Sequence, residues 1–220
     1  MAVYDLEEQE QLAELKSWWQ RYGNLVTGIA LVLALVAAGW QGWQWWQRNQ
    51  AAQASAIYAG LQQAAVQQDA KRARELAGEL IDKYKSTDYA GMGALLAARV
   101  QTDQGDRKNA RVQLTWAAEH AKDVGLRDLA RLRLAAVLLD DKEYDAALRQ
   151  LATEPAAPFA ARYADLRGDI LAAQGKPKEA AAAYDAALTK LDAAAKSDAA
   201  PHQDYRAIVQ TKRDALEQNP

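Results

Sequence analysis

Asp165 and Asp169 stand four residues apart, which on a helix puts both carboxylates on one face, one turn from each other. Residues of that type at that spacing could do general acid–base work or hold a divalent cation through oxygen ligands. Either chemistry needs a histidine or a third ligand close by, and the sequence places none there. The pair therefore reads as a solvated or groove-lining face. The two histidines, His120 and His202, lie far apart, match no metal-ligand spacing and read as surface residues of helices. The absence of cysteine removes disulfides, thiolate metal sites and cysteine nucleophiles, and leaves the compartment open. Gly91-Met92-Gly93 is too sparse for a phosphate cradle, and no phosphate loop, dinucleotide fingerprint, metalloprotease helix or nucleophile elbow occurs. Arg127, Arg131 and Arg133 make the one noticeable basic stripe, where acidic neighbours such as Asp128 suggest surface pairing. With 27 basic and 29 acidic side chains the formal charge is −2, without the clustered excess that nucleic acid requires. These residues predict no enzyme, no cofactor, no metal and no nucleic-acid partner, and so a protein that works by binding or by structure.

What must position any binding surface is a chain of 220 residues, room for one ordinary domain and an appendage. The appendage is visible near the start. Every residue from 22 to 47 is uncharged, Leu25 to Trp40 is almost wholly apolar, and Arg21 and Arg48 bracket the run. As a helix it would rise about 39 Å, against a hydrocarbon layer of about 30 Å. Six tryptophans sit at its borders, Trp18 and Trp19 before it and Trp40, Trp43, Trp45 and Trp46 after it. Indoles settle where the ring is half dry and the N–H is wet, so two such girdles mark two water boundaries. A buried core helix would not crowd indoles at both ends. A cleaved leader, with small residues at Val36-Ala37-Ala38, would have a short basic head in place of this long acidic one. Lys16 and Arg21 on one side against Arg48 alone on the other point to an N-terminus inside the cell and the remainder outside the cytoplasm. Ala30, Ala34, Ala38 and Gly42 recur every fourth residue, a face on which another membrane helix could pack closely. The chain thus divides into a cytoplasmic amphipathic head over 1–21, a transmembrane helix over 22–47 and a periplasmic domain over 48–220.

Beyond Arg48 the pattern is all-α, with helices predicted over 50–67, 70–84, 89–104, 108–121, 126–140, 144–152, 159–174, 178–192 and 203–217. The first of these has nothing to separate it from the membrane segment. Gly105-Asp106 followed by Ala110, Leu114 and Ala117 matches Gly175-Lys176 followed by Ala180, Tyr184 and Ala187. Tyr144, Ala147 and Leu151 fall midway, for a period of about 34 residues. This pattern resembles the tetratricopeptide repeat, a helix–turn–helix unit in which small residues let paired helices approach. Gly168 and Ala135 match its small position in the first helix. Lys142 stands where the turn glycine would be, and Arg167 replaces a leucine. An older half-repeat spans Tyr58 to Tyr84, and the amphipathic helix with Tyr205, Ile208, Val209, Lys212 and Leu216 would cover the open end, which a solenoid needs. The inner-face pairs are then Leu95 with Arg99, Leu132 with Ala136, and Asp165 with Asp169. They lack the basic and amide residues of a clamp for acidic C-termini, and suit a broader or weaker interaction surface.

Three stretches carry a further likeness: Met1-Ala-Val-Tyr4-Asp5-Leu-Glu-Glu with Leu15-Lys16-Ser17-Trp18-Trp19 and Tyr22-Gly23-Asn24; Tyr89-Ala90-Gly91-Met92-Gly93-Ala94-Leu95; and Tyr163-Ala164-Asp165-Leu166-Arg167-Gly168-Asp169 before Gln174-Gly175-Lys176. With the Trp40 to Arg48 exit, and in that order along nearly the whole chain, they make it resemble the YfgM family, ancillary subunits of the bacterial SecYEG translocon. The resemblance implies a short cytoplasmic head, one inner-membrane helix and a periplasmic repeat domain. It also implies association with the SecYEG translocon and its membrane-anchored periplasmic chaperone, with exported client chains handed onward. The alternative is a scaffold for another envelope or secretion assembly.

Overall fold

The computed structural model describes residues 2–197 and 203–218; Met1, the stretch from residue 198 to His202, Asn219 and Pro220 lie outside them. The helices are α1 (Ala2–Val66), α2 (Ala70–Tyr84), α3 (Asp88–Asp103), α4 (Arg107–His120), α5 (Val124–Asp140), α6 (Tyr144–Gln150), α7 (Ala157–Ala173), α8 (Pro177–Ser197) and α9 (Gln203–Gln218). The bounds expected from periodicity agree to within a few residues, apart from the longer α8 and from α1, which starts at Ala2 and takes in the apolar run together with the helix expected over 50–67. The chain divides at Gln50/Ala51 into two compact units. The first is the α1 segment up to Gln50; the second holds the rest of α1 and all later helices.

In the second unit the helices pair by a turn used four times. Gln68, Gly105, Lys142 and Gly175 all take the left-handed backbone conformation, with φ of 56°, 78°, 60° and 71°. Each stands just past the end of a helix, and the residue after it donates back to a carbonyl five residues earlier: Asp69 to Ala64, Asp106 to Gln101, Glu143 to Leu138 and Lys176 to Leu171, at 2.8–2.9 Å. That closure satisfies the carbonyls a helix end leaves open. Asp69 and Asp106 then cap the next helix, their side chains accepting from the backbone N–H of Arg72 and Asn109. Four positions after the closing residue stand Ala73, Ala110, Ala147 and Ala180, all fully buried.

Tyr58 to Tyr84, expected as a half-repeat, is therefore a complete first unit. It was half-hidden because its volumes are exchanged. Where the later units have Ala98, Ala135 and Gly168 on the first helix and Leu114, Leu151 and Tyr184 on the second, this one has Leu61 and Ala77. Either order fills the space between two helices. At the tightest crossing a Cβ on Gly168 would fall 2.4 Å from the Tyr184 ring, so only glycine fits beside that tyrosine.

Neighbouring helices pack in succession, and the first helices of successive units also touch, α3 with α5 and α5 with α7. Side chains tie one turn to the next: Gln104 donates to the Gln68 carbonyl, Arg107 pairs with Asp141 at 3.4 Å, and Gln174 donates to Asp145 at 3.0 Å. Lys142 holds the left-handed conformation without glycine's freedom, at a cost of about 1 kcal/mol. Lys142→Gly is accordingly expected to raise the melting temperature by about 2–4 °C for a chain of this size, read by circular dichroism.

Candidate functional site: an uncovered apolar helix and a repeat groove

In the first unit protein covers almost none of the apolar run. Leu33 is 64% exposed and Trp40 68%, and Leu25, Ile29, Leu31, Val32, Leu35 and Val36 are exposed as well. A contiguous apolar surface of this extent needs a non-aqueous neighbour. The helix is long and apolar enough to cross a membrane. Trp18, Trp19, Trp43, Trp45 and Trp46 are also exposed, with ring centroids 6.3 Å apart for Trp18–Trp19 and 5.4 Å for Trp43–Trp46. From Trp19 to Trp40 the helix rises about 32 Å, close to one hydrocarbon thickness. Gly23 leaves room for the Trp19 indole, which passes 3.2 Å from where a Cβ would stand. Ala30, Ala34, Ala38 and Gly42 are exposed on their side of the same helix.

In the second unit the repeat residues lie in the core: Ala110, Ala117, Ala147, Ala180 and Ala187 are fully buried, Tyr184 is buried, and Tyr144 is half-buried at the start of α6. Gly105 and Gly175 supply two of the left-handed turns.

Asp165 and Asp169 do project from one face of α7, but α9 covers them. Lys212 Nζ lies 2.9 Å from Asp165 Oδ1 and 2.8 Å from Asp169 Oδ2. Tyr205 donates to Asp165 and Tyr184 to Asp169, both at 2.8 Å. Burial and then these hydrogen bonds push both tyrosine hydroxyls well above their ordinary pKa. The carboxylates thus fasten the terminal helix and are not a free groove surface. Among the described residues no cluster of three His, Cys, Asp or Glu could hold a metal.

The arginine stripe also comes apart. Arg127 donates to the Ala121 carbonyl at 2.6 Å, closing the end of α4. Arg131 pairs with Asp128 at 3.4 Å, yet Asp128 is only 2% exposed; it accepts the Ala156 N–H at 2.8 Å, and its own carbonyl accepts from the Tyr163 hydroxyl at 2.8 Å. Burial pushes that hydroxyl up to about 12. Asp128 is a buried tether between α5 and α7, where sequence spacing suggested a surface partner. Arg133 turns onto the face shared by α3 and α5, beside Arg99. There a cavity of about 340 Å³ opens, with Ala98, Leu114, Ala136 and Val137 in its wall. His120 stacks on Trp116 with centroids 5.7 Å apart, on an outward surface. Sequence reasoning missed the role of Arg133, because only packing shows which arginine finds an acid.

A helix long and apolar enough to cross a membrane, joined in one chain to a stack of helix pairs, defines a helical-repeat protein with one candidate membrane span, and the model of the tetratricopeptide repeat-like domain family matches residues 16–218. Three relatives bear the name ancillary SecYEG translocon subunit. That of Neisseria gonorrhoeae is 32% identical over 189 residues, 84% of this chain and 90% of its own. That of Haemophilus influenzae is 33% identical over 174 residues, 79% and 84%, and that of Escherichia coli 30% over 203 residues, 91% and 93%. The chain belongs to this family of ancillary SecYEG translocon subunits, within the tetratricopeptide repeat-like class.

Proposed function

We propose that this chain is anchored in the bacterial inner membrane by residues 22–47, with residues 1–21 in the cytoplasm and 48–220 in the periplasm. There it associates with the SecYEG translocon and helps pass exported chains to a membrane-anchored periplasmic chaperone. The observation that carries the reading is the exposed apolar helix joined to a repeat unit, in a chain whose relatives are named for the translocon. Lys16 and Arg21 against Arg48 support the orientation. Tethering suits a weakly binding surface, because it raises the local concentration near the partner without any new contact. The repeat scaffold and the relatives' names fit a protein that acts by binding and not by catalysis.

Site-specific photocrosslinking in intact cells tests this. A crosslinker at Trp43 is expected to capture translocon subunits, and one at Arg99 the chaperone or an exported chain. Adducts with a secretion or pilus assembly, and none with the translocon, would select the scaffold reading instead.

A further inference from the structure

Arg133 lacks what the other well-placed arginines of the repeat unit have. Arg111 reaches Glu143 at 2.5 Å, Arg131 reaches Asp128, and Arg167 donates to the Leu151 carbonyl at 2.7 Å. Arg133 is half-buried, and its one polar contact among the described residues is a long one, 3.4 Å from Nη1 to the Leu95 carbonyl. Among the described residues no carboxylate lies within 4 Å of its guanidinium. Five N–H donors partly withdrawn from water with so little acceptance are costly to maintain. Burial, and then the like charge of Arg99, hold its pKa below the ordinary arginine value. The nearby acids are engaged elsewhere: Asp103 leans to Arg99 at 3.8 Å and Asp140 to Arg107 at 4.0 Å.

The space beside Arg133 is the 340 Å³ cavity between α3 and α5. A second cavity, of about 400 Å³, shares Arg99 and Asp103 with it and is walled by Tyr58, Val66, Leu96 and Val100. Two guanidiniums thus sit in a track that continues to both sides of Arg99, its wall mixing apolar residues with Asp103 and Asp140. We propose that this double cavity binds an extended segment of a partner protein, in which one internal aspartate or glutamate reaches Arg133 and Arg99 while an apolar side chain enters the cavity beside Tyr58 and Leu96. A carboxylate supplies the acceptors that the guanidinium fork lacks. The acceptor is an internal side chain because the track does not end at the arginines. It is a single acid with neutral or basic flanks, because Asp103 and Asp140 at the same walls repel a run of acids. The site rests on the groove geometry alone, independently of any translocon association.

A random pool of twelve-residue peptides, displayed as loops closed at both ends, panned against the detergent-solubilised full chain, tests the assignment. The native chain is expected to enrich peptides with one acid next to an apolar residue about tenfold, the scale of one charge-assisted hydrogen-bonded pair. Arg133→Gln, with an unchanged helical melt, is expected to lose the acid preference and keep the apolar one, and Arg133→Lys to keep part of both. Should Arg133→Gln fail to fold, the exposed Arg99→Gln reports in its place, by a reduced acid preference. Absence of acid enrichment by the native chain, or undiminished enrichment by the folded glutamine variant, would overturn the proposal. So would enrichment confined to a parallel pool that displays free C-termini.

Discussion

Replacing Leu33 and Val36 together with arginine is expected to move the full chain from the carbonate-resistant membrane pellet into the soluble fraction. Both lie near the midpoint of 22–47, where a long side chain has the farthest to reach for water. Eight residues of the run are Leu, Ile or Val, each favouring insertion by about 0.3–0.6 kcal/mol. An arginine at the centre opposes it by about 2.5–3.5 kcal/mol, so two outweigh the whole aliphatic contribution. The repeat unit has cores of its own that draw on no residue before Ala54, so its thermal melt is expected to stay where it was. A double variant that remains carbonate-resistant would show that the membrane holds the protein by some other part.

Lys212→Met is expected to cost about 2–3 kcal/mol and to release α9 from α7. The substitution keeps the stem and removes the charge. Asp165 is then left with its side chain only 10% exposed, one turn from Asp169, with tyrosine hydroxyls as the remaining donors from outside the helix among the described residues. Removing one partner of a buried pair typically costs about 3–5 kcal/mol. The figure here is lower because the Lys212 side chain is 32% exposed and solvent screens it. Amide exchange along α9 should rise well before that of α4 and α5, and adding Asp165→Asn and Asp169→Asn should recover part of the loss. Equal exchange in native chain and variant would mean that Val209, fully buried against α8, holds the helix without the lysine. Burial works against the charge of Lys212, but the hydrogen bonds it donates to Asp169 and Asp165 win and its pKa lies above the ordinary lysine value. A raised lysine pKa contributes stability that is full below the unfolded value. The clasp therefore persists through neutral pH and weakens only as pH rises through the strongly alkaline range.

The anchor and the repeats were readable in the sequence for different reasons. A membrane segment is a matter of local composition: the uncharged run, the bracketing arginines and the bordering tryptophans each state their solvent without reference to any other part of the chain. The repeat was legible where a position admits one kind of residue, as at Gly105 and Gly175 in left-handed turns and at Ala110, Ala147 and Ala180 under a facing helix. It faded where two residues share a constraint. Leu61 with Ala77 fills the space that Ala98 with Leu114 fills in the next unit, and Gln68 accepts a backbone strain that glycine would relieve. A volume belonging to a pair cannot be read from either member.

The sequence by itself determined the all-helical class, the apolar span, the position of the turns and the need for a terminal helix, because each follows from the preferences of residues near one another in the chain. Only the tertiary structure decided which charges are spent and which are free. Asp165 and Asp169 go to Lys212 and Arg131 to Asp128, while Arg133 meets no carboxylate among the described residues and makes only a long contact to the Leu95 carbonyl. These outcomes are set by distances of a few ångströms between helices far apart in sequence. At that range a charge is satisfied or stranded by packing, whatever its neighbours along the chain.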